Sequence, residues 1–149
     1  MSVWLLRKHK GTGGEDDGQI GRSRVRGKVG TMQYCQTPHL PHGWDAGVLF
    51  EQTQRTLLCS DLFHQTGDME ALTESDVVGR SHRAMREYQG GILADYVPYT
   101  PLTSRNLQKL VTLKPTLLVP QHGSSFRGDC VRAPNDLGQA LRDVSGKPR

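Results

Sequence analysis

The stretch TPHLPHGWDAG, residues 37–47, presents two histidines, His39 and His42, in a loop that two prolines stiffen. Histidine is the commonest metal ligand in proteins because neutral imidazole offers a nitrogen lone pair at neutral pH. A rigid loop also reduces the conformational entropy that is lost when its side chains bind a metal. Taken alone, such a loop is more often ordinary protein surface, so other segments have to decide between the two interpretations.

A carboxylate, Asp61, follows the second of two short apolar runs. The runs at residues 48–50 and 56–59 predict a β-hairpin with largely buried strands, and Asp61 then stands at a strand's carboxyl end. Ligand-binding and catalytic residues of α/β proteins tend to lie at such strand ends. A carboxylate next to Leu62 and Phe63 needs compensation, since an unpaired buried charge is costly. A metal ion or an arginine would provide it, and capping of the next turn is an equally good explanation.

A histidine, His122, follows a third apolar run. Residues 116–120 predict a short buried strand, and Gly123 comes directly after the histidine. A side chain in this position can point into a cleft. The alternative is a core histidine that is satisfied by hydrogen bonds.

Three helices are predicted between and after these strands. The first is expected to be capped by Thr73, with Asp76 at the third helical position, and to end at Gly90 and Gly91. The second is expected to be capped by Thr103 or Ser104 and to end at Pro115. Asn135 is expected to cap the last helix. The predicted order of elements is therefore β-β-α-α-β-α.

The basic character of the chain is concentrated at its beginning. The net charge is +4, and residues 1–28 contain seven basic and three acidic residues, which account for all of it. Residues 1–30 are therefore predicted to be a disordered, basic, glycine-rich segment, and residues 31–149 a separate domain. A nucleic-acid-binding arm is the least favoured interpretation, because no aromatic residues are interleaved with these charges.

Composition narrows the class of protein further. The three cysteines form no CxxC pair, so neither a disulfide framework nor a zinc finger is indicated, and a reducing cytoplasmic location is expected. The apolar run at residues 3–6 is shorter than the ~7–15 residues of a signal-peptide core, and no segment is long enough to span a membrane.

Together, the three segments resemble the later motifs of one family. PHLPHGWDAG at residues 38–47, SDLF at residues 60–63 and PQHGSSFRGD at residues 120–129 are similar, in order and spacing, to motifs of the metallo-β-lactamase superfamily. The resemblance extends from about Gln33 to about Asp129 and points to the flavodiiron-like and oxygen-binding di-iron-like branch and related uncharacterised metallo-hydrolases. It implies an α/β fold, namely the second half of an αββα sandwich.

The resemblance also implies roles for individual residues. In that family two metal ions, zinc or iron, share a bridging carboxylate. By position, His42 would bind the first metal, Asp61 would be the bridging and catalytic carboxylate, and His122 would bind the second metal. His39 could replace His42, and otherwise His39 and Asp45 would orient a ligand.

One further histidine, His64, is close enough along the chain to Asp61 to face the same cleft. No part of the resemblance requires it to do so. It is therefore predicted only as a neighbour of the metal site.

The first motif of the family, His-x-His/Glu-x-Asp-His, has no counterpart in the chain. His9 is the only histidine before His39, and it lies between two lysines. Since zinc usually takes four donors, His42, Asp61 and His122 complete neither metal shell. The expectation is a truncated metal-dependent hydrolase or oxidoreductase, weak or inactive alone, acting on an unidentified small molecule.

The alternative is a non-enzymatic remnant or interaction module. Half of a sandwich leaves one apolar sheet face without its partner sheet, and an exposed apolar face promotes association. Such a module would pair with a complementary half-domain or with a second copy of itself.

Overall fold

The computed structural model describes residues 24–27 and 30–145, which form one seven-stranded sheet and three helices. The strands of this part of the chain are β1 (Arg24–Gly27), β2 (Gly30–Gln36), β3 (Gly47–Glu51), β4 (Thr56–Ser60), β5 (Leu72–Thr73), β6 (Leu117–Pro120) and β7 (Ser125–Phe126). The helices are α1 (Val77–Tyr88), α2 (Thr103–Thr112) and α3 (Ala133–Ser145). The order of strands in the sheet is β1-β2-β3-β4-β6-β7-β5.

The pairing of β4 with β6 positions the residues that follow both strands. The predicted hairpin of β3 and β4 is present, with Leu49 opposite Leu58. β4 then pairs in parallel with β6, and Ser60 lies opposite Pro120. Because parallel strands end at the same edge of a sheet, the segments that begin at Asp61 and at Gln121 leave the sheet side by side. The backbone N–H of Gln121 donates to the carbonyl of Ser60 at 2.8 Å.

One face of the sheet carries the hydrophobic core. Phe50, Leu57 and Leu118 lie opposite one another on β3, β4 and β6, and all three are buried. They belong to the same buried cluster as Met85 of α1, Leu137 of α3 and the two buried leucines of α2, Leu107 and Leu110. The helices therefore cover this face.

The opposite face of the sheet is only half-buried. Leu49, Leu58 and Val119 form its central row, and Met32 and Leu117 extend it. The prediction of largely buried strands is thus correct for one face only, since the burial of β3, β4 and β6 alternates along each strand.

The helices begin at other residues than predicted. Asp76, not Thr73, caps α1, because its carboxylate accepts from the N–H of Gly79 at 2.7 Å, whereas Thr73 is paired into β5. The hydroxyl of Thr103 accepts a hydrogen bond from the N–H of Thr100, which precedes the helix, so this side chain caps no helical N–H. α3 starts at Ala133, so Asn135 is inside its first turn. The predicted ends of the first two helices agree with the structure.

Part of the segment that was predicted to be disordered is a strand. β1 pairs antiparallel with β2, from Arg24 opposite Gln33 to Gly27 opposite Gly30. The rest of the predicted disordered segment, residues 1–23 and 28–29, lies outside the described residues. The division of the chain at residue 30 stays a prediction. None of the three described helices has the length and apolar character needed to cross a bilayer.

A buried glutamine, Gln65, fastens the segment after β4 to the segment after β6. Its side chain is 3% exposed; Nε2 donates to the carbonyl of Ser124 at 3.1 Å, and Oε1 accepts from the N–H of Ser124 at 3.3 Å. The backbone N–H of Gln65 also donates to the carbonyl of His122 at 3.1 Å. Gly123, with φ of +101°, lies so close that an added Cβ would be 2.5 Å from the Cβ of Gln65. We call these contacts the Gln65 clamp.

Replacing Gln65 by alanine is expected to destabilise the protein by about 1–3 kcal/mol, because the buried backbone groups of Ser124 lose their partners. Urea unfolding followed by circular dichroism measures this change. Gln139→Ala is the matched control, since Gln139 is exposed on α3. Equal unfolding midpoints for the two variants would show that the clamp contributes nothing.

Candidate metal centre

Three side chains converge where β4 and β6 end. Asp61, His64 and His122 each offer one possible ligand atom, and these atoms all lie within 4.8 Å of one another. A fourth side chain, His42, lies next to these three, with its Nε2 3.2 Å from Oδ2 of Asp61. Nε2 of His122 is 3.5 Å from Oδ1 of the same carboxylate. The three residues predicted as metal ligands are therefore neighbours, and each oxygen of Asp61 faces a different histidine.

The His42 loop is held by its own backbone. The N–H of Thr37 donates to the carbonyl of Ala46 at 2.9 Å and closes the loop, and the Thr37 hydroxyl donates to the carbonyl of Leu40 at 2.6 Å. From α2, the amide of Asn106 donates to the carbonyl of Pro38 at 2.9 Å. These bonds fix the loop against the helical layer, so that His42 reaches Asp61 across a sequence separation of 19 residues.

The carboxylate lies deeper than the two histidines beside it. The side chain of Asp61 is 15% exposed, whereas those of His42 and His122 are 48% and 51% exposed. A largely buried carboxylate needs positive charge nearby to offset its desolvation. The half-exposed imidazoles leave a path by which a cation can reach it from solvent.

His64 is held by a tyrosine. Its Nε2 is 2.5 Å from the hydroxyl of Tyr88, on the last turn of α1. Burial lowers the pKa of His64, and the nearby His122 lowers it further, against the opposing effect of Asp61. The neutral imidazole is therefore favoured, which is the form that binds metals.

A second tyrosine, Tyr96, lies beside the same carboxylate. Its ring centroid is 4.9 Å from that of His42 and 6.1 Å from that of His64. Burial raises the pKa of Tyr96, and so does the neighbouring Asp61 carboxylate. Tyr96 is therefore neutral, and its side chain lines the site next to Asp61.

Two of the predicted residues are not part of this cluster. His39 and Asp45 are exposed, and within the described part of the chain neither side chain has a hydrogen bond to His42, Asp61 or His122. Their role in orienting a ligand stays a prediction. Sequence reasoning also missed Gln65, Tyr88 and Tyr96.

The donor set fits a first-row transition metal. Imidazole nitrogen suits zinc and iron, and carboxylate oxygen binds both. Two ligands of one ion, each ~2.0–2.2 Å from it, are ~3–3.5 Å apart. The separations of Asp61 from His42 and from His122 are in this range. The described residues could therefore supply ligands to a metal ion, although not a full set for two ions.

Comparison with known proteins finds relatives that match part of the chain. No protein-family model matches the chain. Rubredoxin-oxygen oxidoreductase of Megalodesulfovibrio gigas is 32% identical over 101 residues, which cover 66% of this chain and 24% of that protein. The chain thus spans about a quarter of the curated relative that it matches.

Solved structures show the same relationship. A rubredoxin oxygen:oxidoreductase from Desulfovibrio gigas has a TM-score of 0.57 and 27% identity, over 80% of this chain and 29% of that one. A mutant flavo-di-iron protein from Thermotoga maritima has a TM-score of 0.62 and 22% identity, over 85% of this chain and 30% of that one. The chemotaxis sensor ODP from T. denticola, with a TM-score of 0.55 and 16% identity over 85% of this chain and 49% of that one, shares the fold.

The chain is therefore similar in sequence to rubredoxin-oxygen oxidoreductase, and it shares with the flavodiiron proteins the metallo-β-lactamase fold, of which it corresponds to the second half.

Proposed function

We propose that the protein binds iron through His42, Asp61 and His122 and forms part of an oxidoreductase site that acts on dioxygen. The position of the Asp61 carboxylate between two histidines is the main support for this proposal. Oδ2 of Asp61 is paired with His42 and Oδ1 with His122, at 3.2 Å and 3.5 Å. A carboxylate that offers a different oxygen to each of two histidines has the arrangement needed to bridge two ions.

The relatives favour iron and oxidation chemistry over the other expectations. The names of the relatives refer to di-iron proteins and to an oxygen oxidoreductase, and they support neither zinc nor hydrolysis. Bound iron would supply the one-electron redox chemistry. The substrate assignment to dioxygen comes from the name of the 32% identical relative.

The protein's own side chains have separate tasks in this proposal. Asp61 would hold the metal through its carboxylate, and its burial strengthens its attraction for cations. His42 and His122 donate nitrogen lone pairs from the rim, where their exposure leaves room for a small substrate. These three side chains cannot fill two coordination shells, so the site would need further ligands.

Replacing a ligand is expected to abolish retention of iron. The purified protein, loaded anaerobically with iron(II) and desalted, should keep an amount of iron that approaches the chain concentration. Asp61→Asn and His122→Ala should weaken binding by at least the ~10–100-fold that loss of a ligand's hydrogen-bond partner costs. Elemental analysis measures the retained iron.

His82→Gln is the control for this experiment. His82 also pairs with a carboxylate, at 2.8 Å from Asp143, but on the surface between α1 and α3. Equal iron retention in all four proteins, or none in the unmodified one, would contradict the proposed site.

A second candidate function, an interaction module, is favoured by the half-buried sheet face. The row formed by Leu49, Leu58 and Val119 is apolar and is not covered by the helices. A groove of about 610 Å³ lies at one end of this face, beside Met32 and Thr56. This surface would pair with a complementary half-domain or with a second copy of the chain.

A charge on this face is expected to reduce association. If the face is an interface, light scattering after size exclusion should show a mass above that of one chain, and Leu58→Glu should lower it towards 16.6 kDa. Ile92→Glu is the matched control, since Ile92 is fully exposed in the loop after α1. A single-chain mass for the unmodified protein at all concentrations would rule out pairing between copies.

A further inference from the structure

The His64 ring has one satisfied and one unsatisfied nitrogen. Nε2 is hydrogen-bonded to the Tyr88 hydroxyl at 2.5 Å, whereas Nδ1 is buried and has no hydrogen-bond partner among the described residues. In a neutral imidazole one nitrogen donates and the other accepts. Buried polar atoms in native proteins are almost always paired, so the exception calls for a partner that the protein chain itself does not provide.

The turn after β4 places this ring on the same side as Asp61. The N–H of His64 donates to the carbonyl of Asp61 at 3.3 Å, and the left-handed backbone of Phe63, with φ of 62°, turns the chain between them. The His64 ring centroid is then 4.8 Å from that of His122. Asp61 and two histidines therefore surround one small volume.

The spacing of the donor atoms suits a single cation. The candidate ligand atoms of Asp61, His64 and His122 are at most 4.8 Å apart. Ligands of one ion are ~3–4 Å apart, because each lies ~2 Å from it. His122 is 51% exposed, so its side chain can rotate to close the difference without disturbing the core.

We propose that His64 is an additional ligand of the metal held by Asp61 and His122, that it binds through Nδ1, and that Tyr88 fixes its ring. This proposal rests on the proposed function, since it concerns the same ion. A metal-binding histidine almost always donates its other ring N–H to a fixed acceptor. The Tyr88 hydroxyl is such an acceptor for the N–H at Nε2, which leaves the lone pair of Nδ1 for the cation.

The consequence is a site that the described residues can form by themselves. Asp61, His64 and His122 give one ion three protein ligands, and solvent can take the fourth position. Three protein ligands and a water are the usual set of a catalytic zinc site. Occupation of this position then does not depend on ligands from elsewhere, whereas occupation of the position beside His42 does.

Cobalt(II) titration of the full chain tests the proposal, because the visible spectrum of cobalt responds to the number and type of its ligands. We expect His64→Ala to raise the dissociation constant at least tenfold and to change the spectrum. Tyr88→Phe should raise the constant by a smaller factor and leave the spectrum unchanged, since the ligand set is intact. His82→Gln, in which a surface histidine is replaced, should match the unmodified protein in both respects.

The outcomes separate this proposal from the proposed function. If the unmodified protein and His122→Ala both fail to bind cobalt specifically, the metal site itself is refuted. If the unmodified protein binds but His64→Ala has the same affinity and spectrum, only the role of His64 is refuted.

A second measurement serves if His64→Ala does not fold. Zinc added to the unmodified, ¹⁵N-labelled protein should shift the Nδ1 resonance of His64 and leave its Nε2 protonated. An unchanged Nδ1 resonance at saturating zinc would overturn the assignment.

Discussion

The parallel pairing of β4 with β6 is the constraint on which the site depends. It brings two segments that are some sixty residues apart in sequence to one edge of the sheet, with Ser60 opposite Pro120. The Gln65 clamp then keeps them in register beyond the sheet, where no strand hydrogen bonds remain. Without this pairing, Asp61 and His122 would have no reason to be neighbours, and the chemistry proposed for them would not arise.

The charge of the site depends on how deeply each side chain is buried and on which groups surround it. The carboxylate is largely buried, and among the described residues its neighbours are histidines and a tyrosine instead of arginine or lysine. A bound cation would offset the charge of Asp61 and would also give the buried nitrogen of His64 a partner. A metal therefore explains more of the local structure than hydrogen bonding alone does.

Sequence reasoning found the parts of the site that follow strands. Asp61 and His122 each come directly after an apolar run, and a run of that length predicts a buried strand whose end is exposed. It could not find the Tyr88 contact, because 24 residues and a helix separate Tyr88 from His64. The sequence pattern also placed the helix caps wrongly. Thr73 resembles a cap in sequence, but in the structure it belongs to β5 and pairs with Phe126. Contacts between residues far apart in sequence determine these features, and a local sequence pattern carries no information about such contacts.

We propose that a metal ion is held at the junction of β4 and β6. Anomalous diffraction at the iron absorption edge, from crystals grown with iron(II), tests this claim directly. We expect a peak about 2.0–2.2 Å from a carboxylate oxygen of Asp61 and from a ring nitrogen of His122. Iron found only at other positions, with the Asp61 carboxylate bonded to protein or water alone, would contradict it.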